Sequence, residues 1–144
     1  MNRAFTNKLE DVIRNLPRLV KRLPGIAKAE GLKFIADNFR NEGFEEQQGQ
    51  YKKWQKKKTK GARKPQLVGE KRGGAMRRGW QGKASESAAE FSNSLPYAGV
   101  HNEGLQAGRP PGFTMPQRQM IGESPALLSR IEKKADKLAE ELFL

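Results

Sequence analysis

The feature that most limits how this chain can fold is a gap in its apolar pattern. From Glu45 to Gly74 the residues are mainly Gln, Lys and Gly, and only Tyr51, Trp54, Leu67 and Val68 offer sizeable apolar side chains. Because burial of apolar surface drives folding, a core must be assembled from the segments on either side of this gap. The gap itself reads as an extended loop or arm, since structureless stretches of this length inside compact domains are uncommon and belong to functional or disordered segments.

The charge lies in the same place. Between Lys52 and Lys83 there are thirteen Lys or Arg against one acid, Glu70, which accounts for the whole formal charge of +12 and leaves the rest of the chain neutral. A length of 144 residues leaves room for one domain, here residues 1–144 with the basic arm at 47–74. Hydrophobic residues make up 35% of the chain, so the core is modest for the length.

The flanks carry clear periodicities. Phe5, Leu9, Val12, Ile13, Leu16, Leu19, Val20 and Leu23 follow the stripe of an amphipathic helix. Pro17 inside that stripe predicts a kink or break near Leu16. Pro24 suits the first turn of a second helix, in which Ile26, Ala29, Leu32, Ile35, Ala36 and Phe39 keep the helical spacing until it stops before Gly43. Beyond the gap, 75–83 and 86–95 are predicted to pair as a hairpin around the turn residues Gly82 to Ser85. Pro96 to His101 reads as the start of a further short strand, Gly104 to Gly112 as a loop, and Phe113 to Met115 as extended. Last, Ser124 fits an N-cap and Pro125 a first helical position, and Leu127, Leu128, Ile131, Ala135, Leu138 and Leu142 repeat at helical spacing. The expectation is an α+β fold, with N-terminal helices and a C-terminal helix packed on a small antiparallel β-sheet and a long basic loop or arm.

Little in the sequence suggests catalysis. With no cysteine, neither disulfides nor thiolate metal sites are available. His101 is the single histidine, and with Glu103 two residues away on an extended strand it forms no catalytic set. Its expected role is a structural or interface hydrogen bond. The adjacent Glu45 and Glu46 read as part of a solvated loop. Gly69, Gly73 and Gly74 lack a preceding apolar strand and the Walker spacing of a phosphate loop. No catalytic residue, cofactor or metal is therefore expected, and no secretion signal or membrane span is visible.

The basic stretch has two readings. Tyr51, Lys52, Lys53, Trp54, Lys56, Lys57, Lys58, Lys60, Arg63 and Lys64 combine phosphate-neutralising charge with rings able to stack on bases, as in single-strand binders. The same residues suit a self-repelling arm that docks on an acidic protein neighbour. Neither reading recognises a sequence, because no helix-turn-helix or zinc-ligand spacing accompanies them.

Two ordered sets of residues carry a resemblance. The first is Asn38-Phe39-Arg40-Asn41-Glu42-Gly43-Phe44, followed by Trp54-Gln55-Lys56. The second runs through Leu67-Val68-Gly69, Arg77-Arg78-Gly79-Trp80, Pro96-Tyr97-Ala98-Gly99-Val100-His101-Asn102-Glu103-Gly104 and Met115-Pro116-Gln117-Arg118-Gln119-Met120-Ile121-Gly122. Together they resemble the phage virion morphogenesis family, which includes tail completion proteins and is related to head-tail joining proteins. In that family a Tyr-Ala-x-x-His-x-x-Gly block ends a strand, and a Pro-x-Arg-x-hydrophobic-hydrophobic-Gly block leads into the last helix. Gly74 to Trp80 departs from the family's usual strand at that place, which leaves Trp80 as a core residue or a subunit contact.

The resemblance implies a structural virion protein and not an enzyme. It implies a six-fold ring of identical subunits at the neck or the head-proximal end of a tail, and contacts with neck, connector or tail-tube proteins and with DNA in the channel. Its location would be the virion, after assembly in the bacterial cytoplasm. Among the motif residues, Tyr97 is expected to bury its ring and pair its hydroxyl. Gly104 would permit a sharp exit, and Arg118 would clamp a carboxylate within the fold or across a subunit boundary.

Overall fold

A computed structural model describes residues 3–56 and 75–143. The fold is α+β, in the order α1 (Arg3–Asn41), β1 (Gly43–Gln47), β2 (Gln50–Lys53), α2 (Ala75–Arg78), β3 (Trp80–Ala84), β4 (Ala89–Asn93), α3 (Tyr97–Glu103), β5 (Gln106–Ala107), β6 (Phe113–Thr114) and α4 (Pro125–Phe143). Instead of one small sheet there are, among the described residues, three two-stranded antiparallel sheets, β1-β2, β3-β4 and β5-β6, each a local hairpin, the first two of them packed on α1.

α1 is the spine, and here the expected break is corrected. Both Pro17 and Pro24 lie inside one continuous 39-residue helix. Proline's fixed φ is itself helical. What it removes is one backbone donor, at a cost of about 3 kcal/mol, and packing elsewhere along the helix offsets that loss. Pro24 is buried, so its ring contributes to that packing. The predicted end of the helix is correct. Asn41 Nδ2 donates to the Asp37 carbonyl at 2.9 Å and Lys53 Nζ to the Asn41 carbonyl at 2.7 Å, which satisfies two carbonyls of the last turn. The chain reverses at Glu42, at φ 49°.

Adjacent residues of α1 face two different cores. Ile35 and Phe39 join Trp54, Met76, Ala98 and Met120 on one side, while Phe34 joins Phe44 and Ala126 on the other. The roughly 100° between successive residues of a helix lets one helix serve both. The rings of Phe34 and Phe44 meet edge-to-face at 5.4 Å, and those of Phe39 and Trp54 at 5.5 Å.

The predicted hairpin is present as β3-β4, which pairs Trp80 with Asn93 and Ala84 with Ala89, but Gly82 is a paired strand residue opposite Phe91 and the turn lies at 85–88 instead of Gly82 to Ser85. Residues 75–78, however, form a helical turn, from which Met76 enters the core and its carbonyl accepts from Asn93 Nδ2 at 2.9 Å. The hairpin lies directly on α1 at Gly31, where a Cβ would overlap the Phe91 ring. Gly31→Ala should therefore destabilise despite the roughly 1 kcal/mol that Ala gains in a helix, because displacing a packed ring costs about 1–3 kcal/mol. A lower urea midpoint, with the loss relieved in Gly31→Ala/Phe91→Leu, is the expected result.

The segment from Pro96 to His101, predicted as a strand, is the start of α3. Its seven residues place Ala98 and Asn102 four apart on the buried face, a helical and not an alternating period. Gly104 ends it in the left-handed conformation at φ 68°, with its N–H bonded to the Val100 carbonyl. A Cβ there would stand 3.0 Å from Gln117 Cβ. The expected sharp exit is present and requires glycine.

α4 begins as predicted. Ser124 Oγ accepts from the N–H groups of Ala126 and Leu127 at 3.1 and 3.4 Å and donates to the Glu45 carbonyl, tying the cap to β1. α4 runs antiparallel along α1, from the Arg130–Asp37 ion pair at one end to the Asn15–Leu142 hydrogen bond at the other. Among the described residues no helix is long and apolar enough to cross a membrane.

Candidate functional site

Leu67, Val68 and Gly69 lie outside the described residues, but other residues of both sequence blocks meet in one place. After α3, the irregular segment from Gln117 to Ile121 passes Asn102, whose Oδ1 accepts from the N–H groups of Met120 and Ile121 at 2.8 and 3.1 Å. Gln117 Nε2 donates to the Asn102 carbonyl, and the Arg118 N–H to the His101 carbonyl. From the other side, Asn38 Nδ2 donates to the Met120 carbonyl at 2.9 Å while its Oδ1 accepts the Glu45 N–H at 3.1 Å. Trp54 Nε1 donates to the Gln119 carbonyl and Arg118 Nε to the Gln55 carbonyl, both at 2.9 Å. Side chains thus supply most of the partners that sheet neighbours would otherwise give this irregular, partly buried segment.

This arrangement assigns several predicted residues a bracing role. Arg118 is 8% exposed, and its Nε donates to the Gln55 main-chain carbonyl. Burial lowers its pKa. Trp54, counted with the arm as a base-stacking ring, is 5% exposed and belongs to the core. Tyr97, expected to be buried, is 38% exposed and stands edge-to-face to His101 with ring centroids 6.5 Å apart. Trp80 packs against the core, with its Nε1 buried and without a partner among the described residues.

His101 is half-buried, and its Nδ1 likewise finds no partner among the described residues. On a helix, Glu103 points elsewhere than His101, and its carboxylate accepts from Asn102 Nδ2. Burial, and secondarily the Arg118 charge, lower the His101 pKa. A histidine held neutral binds its proton less readily when folded than when unfolded, so its contribution to stability is intact above the ordinary value of 6.5 and is lost as pH falls below it. Denaturant midpoints measured from about pH 7.5 down to about pH 5 should decline, and His101→Gln should remove this part of the decline.

A second polar cluster was not foreseen. Arg130 on α4 donates from Nη1 to Asp37 on α1 at 2.8 Å and from Nη2 to Glu45 on β1 at 2.9 Å, with its guanidinium 5.6 Å from the Phe34 ring centre. Glu45, read as part of a solvated loop, is 5% exposed, and its second oxygen accepts the Gly49 N–H that turns the β1-β2 hairpin. Burial opposes the Arg130 cation, but the hydrogen bonds and charges of Asp37 and Glu45 outweigh it and raise its pKa. Tyr51, paired across the hairpin with Glu45, has its pKa raised by burial and by the charges of Glu45 and Asp37. Around these groups lies a cleft of about 280 Å³ that also reaches Glu30, Ser129 and Lys133. In sequence only the position of Arg130, four residues after Ala126 on α4, hinted that it faces inward.

The predicted arm therefore begins later than Gln47. β2 extends to Lys53, and the Trp54 N–H bonds the Glu42 carbonyl at 2.8 Å. Lys52, Lys53 and Lys56 are exposed, and Lys53 Nζ stands 5.8 Å from the centre of the Tyr51 ring. Lys57, Lys58, Lys60, Arg63 and Lys64 lie outside the described residues. No group of three or more metal-ligating side chains occurs among the described residues.

The remaining surface feature is apolar. On α1, Val12, Ile13, Leu16 and Val20 are 38%, 66%, 49% and 53% exposed. On α4, Leu128 is 56% exposed. Set against known proteins, the chain matches no family model, no curated protein and no solved structure.

Proposed function

We propose that this protein is a structural subunit of a bacteriophage virion, one that completes the tail or joins it to the head as part of a ring of identical copies. The observation that carries this reading is the run of exposed aliphatic side chains on α1, because contiguous apolar surface on a small domain marks an interaction site. The bracing around Asn102 supports it as well. Several residues behind the family resemblance, Asn38, Trp54, Asn102 and Arg118 among them, hold the irregular segment in place, as expected if the resemblance reflects a shared fold. The partners are further copies of the chain and neck, connector or tail-tube proteins, met in the host cytoplasm and retained in the virion, and no reaction is involved.

The alternative, sequence-independent binding of nucleic acid, is weakened by the burial of Trp54. It retains the exposed lysines, whose contribution would fall steeply with salt.

The test is to purify virions from the producing cells, probe them for the chain, and then silence its gene. The expected result is the chain in intact particles and, without it, full heads and tails that fail to join. Normal yields of infectious particles after silencing would sink the proposal.

A further inference from the structure

α1 carries a second pattern within its amphipathic face. Leu9, Val12, Leu16, Leu19 and Leu23 alternate steps of three and four residues, the seam by which one helix packs along another. α4 covers this seam only in part. Leu19 and Leu23 are half-buried near the Asn15–Leu142 contact that marks the last turn of α4, whereas Val12, Ile13, Leu16 and Val20 remain open.

Besides the exposed Leu105 and Phe113, a further uncovered apolar surface lies at the opposite end of α4. There Leu128, Leu127, Ile131 and Pro125 border a shallow hollow of about 600 Å³. Because Asp37 marks that end of α4 and lies 24 residues along α1 from Ile13, the two surfaces are about 36 Å apart at 1.5 Å per residue. One molecule cannot bring them together.

Charge separates the possible arrangements. Residues 10–22 of α1 carry four cations, Arg14, Arg18, Lys21 and Arg22, against Glu10 and Asp11. Pairing two such seams would place net positive charge against itself. The lining of the hollow on α4 instead holds a single charged side chain, the exposed acid Glu123, so seam against hollow joins opposite signs as well as apolar surfaces.

We infer that the open seam of α1 inserts into the α4 hollow of a second copy of this chain, in a head-to-tail contact. Different patches meet in such a contact, so a pair of subunits keeps one free seam and one free hollow, and repetition closes a ring when the rotation allows it. The inference rests on the proposed ring and names its interface.

The chain contains no cysteine, which permits a clean test. Leu16→Cys and Leu128→Cys change exposed positions and leave both cores intact. Mixed and treated with a short bis-maleimide, the two single variants should give a cross-linked heterodimer well above the yield of either alone, and the double variant should give a ladder of multimers. A dimer formed as readily by Leu16→Cys alone would overturn the inference in favour of seam-to-seam pairing. Absence of any 16–128 product, with circular dichroism confirming folded protein, would also overturn it. The two readings fail separately: a chain found in virions without the cross-link removes only the head-to-tail contact, and a cross-linked chain absent from virions removes only the virion assignment.

Discussion

Trp54→Ala should cost about 3–5 kcal/mol of stability, the range for truncating a large buried aromatic. The indole is 5% exposed, meets Phe39 edge-to-face and donates its N–H to the Gln119 carbonyl. The substitution therefore removes packing on α1 and strands a carbonyl in the braced segment at the same time. Trp54→Phe should lose less, keeping most of the packing and forfeiting the hydrogen bond, which is worth about 1 kcal/mol. Urea denaturation followed by circular dichroism measures both. A ring exposed for base stacking predicts the reverse outcome, with little change in stability and weaker binding of single-stranded DNA.

Arg130→Met is expected to be nearly as damaging, at about 2–4 kcal/mol, because removing one partner from a largely buried ion cluster leaves the others uncompensated. Asp37 and Glu45 would then face each other across the cleft without the cation that separates them, and Glu45 is the more enclosed, its side chain being 7% exposed. Arg130→Lys should recover only part of the loss, since one ammonium does not span two carboxylates as a guanidinium fork does. Adding Glu45→Gln to Arg130→Met should restore some stability by removing a buried charge. If the double variant were less stable than the single by the full cost of Glu45→Gln alone, the coupling would be absent and the cluster incidental. The location of the damage is also testable: because this cluster ties α1, β1 and α4 together, hydrogen exchange should rise first along the β1-β2 hairpin and the start of α4.

The contrast between Arg118 and Arg130 shows what patterning can reveal. Arg118 stood out in sequence because it lies in a recognisable block, and it was assigned a carboxylate partner. In the fold its Nε serves the Gln55 carbonyl, and Arg130, which no motif marks, bridges two carboxylates. A hydrogen-bond partner depends on which segments meet, and Asp37 and Glu45 lie 93 and 85 residues from Arg130. For the same reason Asn38 and Asn102, ordinary in composition, emerged as central only once the segment 117–121 was placed between them. Tyr97 departs from expectation for a different reason: its aromatic ring suggests burial, but on α3 the inward face is taken by Ala98 and Asn102.

What the sequence determined on its own is what depends on near neighbours along the chain. The periodicity of α4, its Ser124 cap, the end of α1 before Gly43 and the β3-β4 pairing all follow from side-chain spacing and turn chemistry within a few residues, and all are present. The α+β class follows from summing those elements. Tertiary structure decided what local rules leave balanced: that α1 runs through Pro17 and Pro24, that 97–103 is helical, and that Tyr51, Trp54 and Glu45 belong to the body of the domain. Each of those choices sets a local cost of a few kcal/mol against burial gained from residues far away in sequence, and only the assembled packing decides between them.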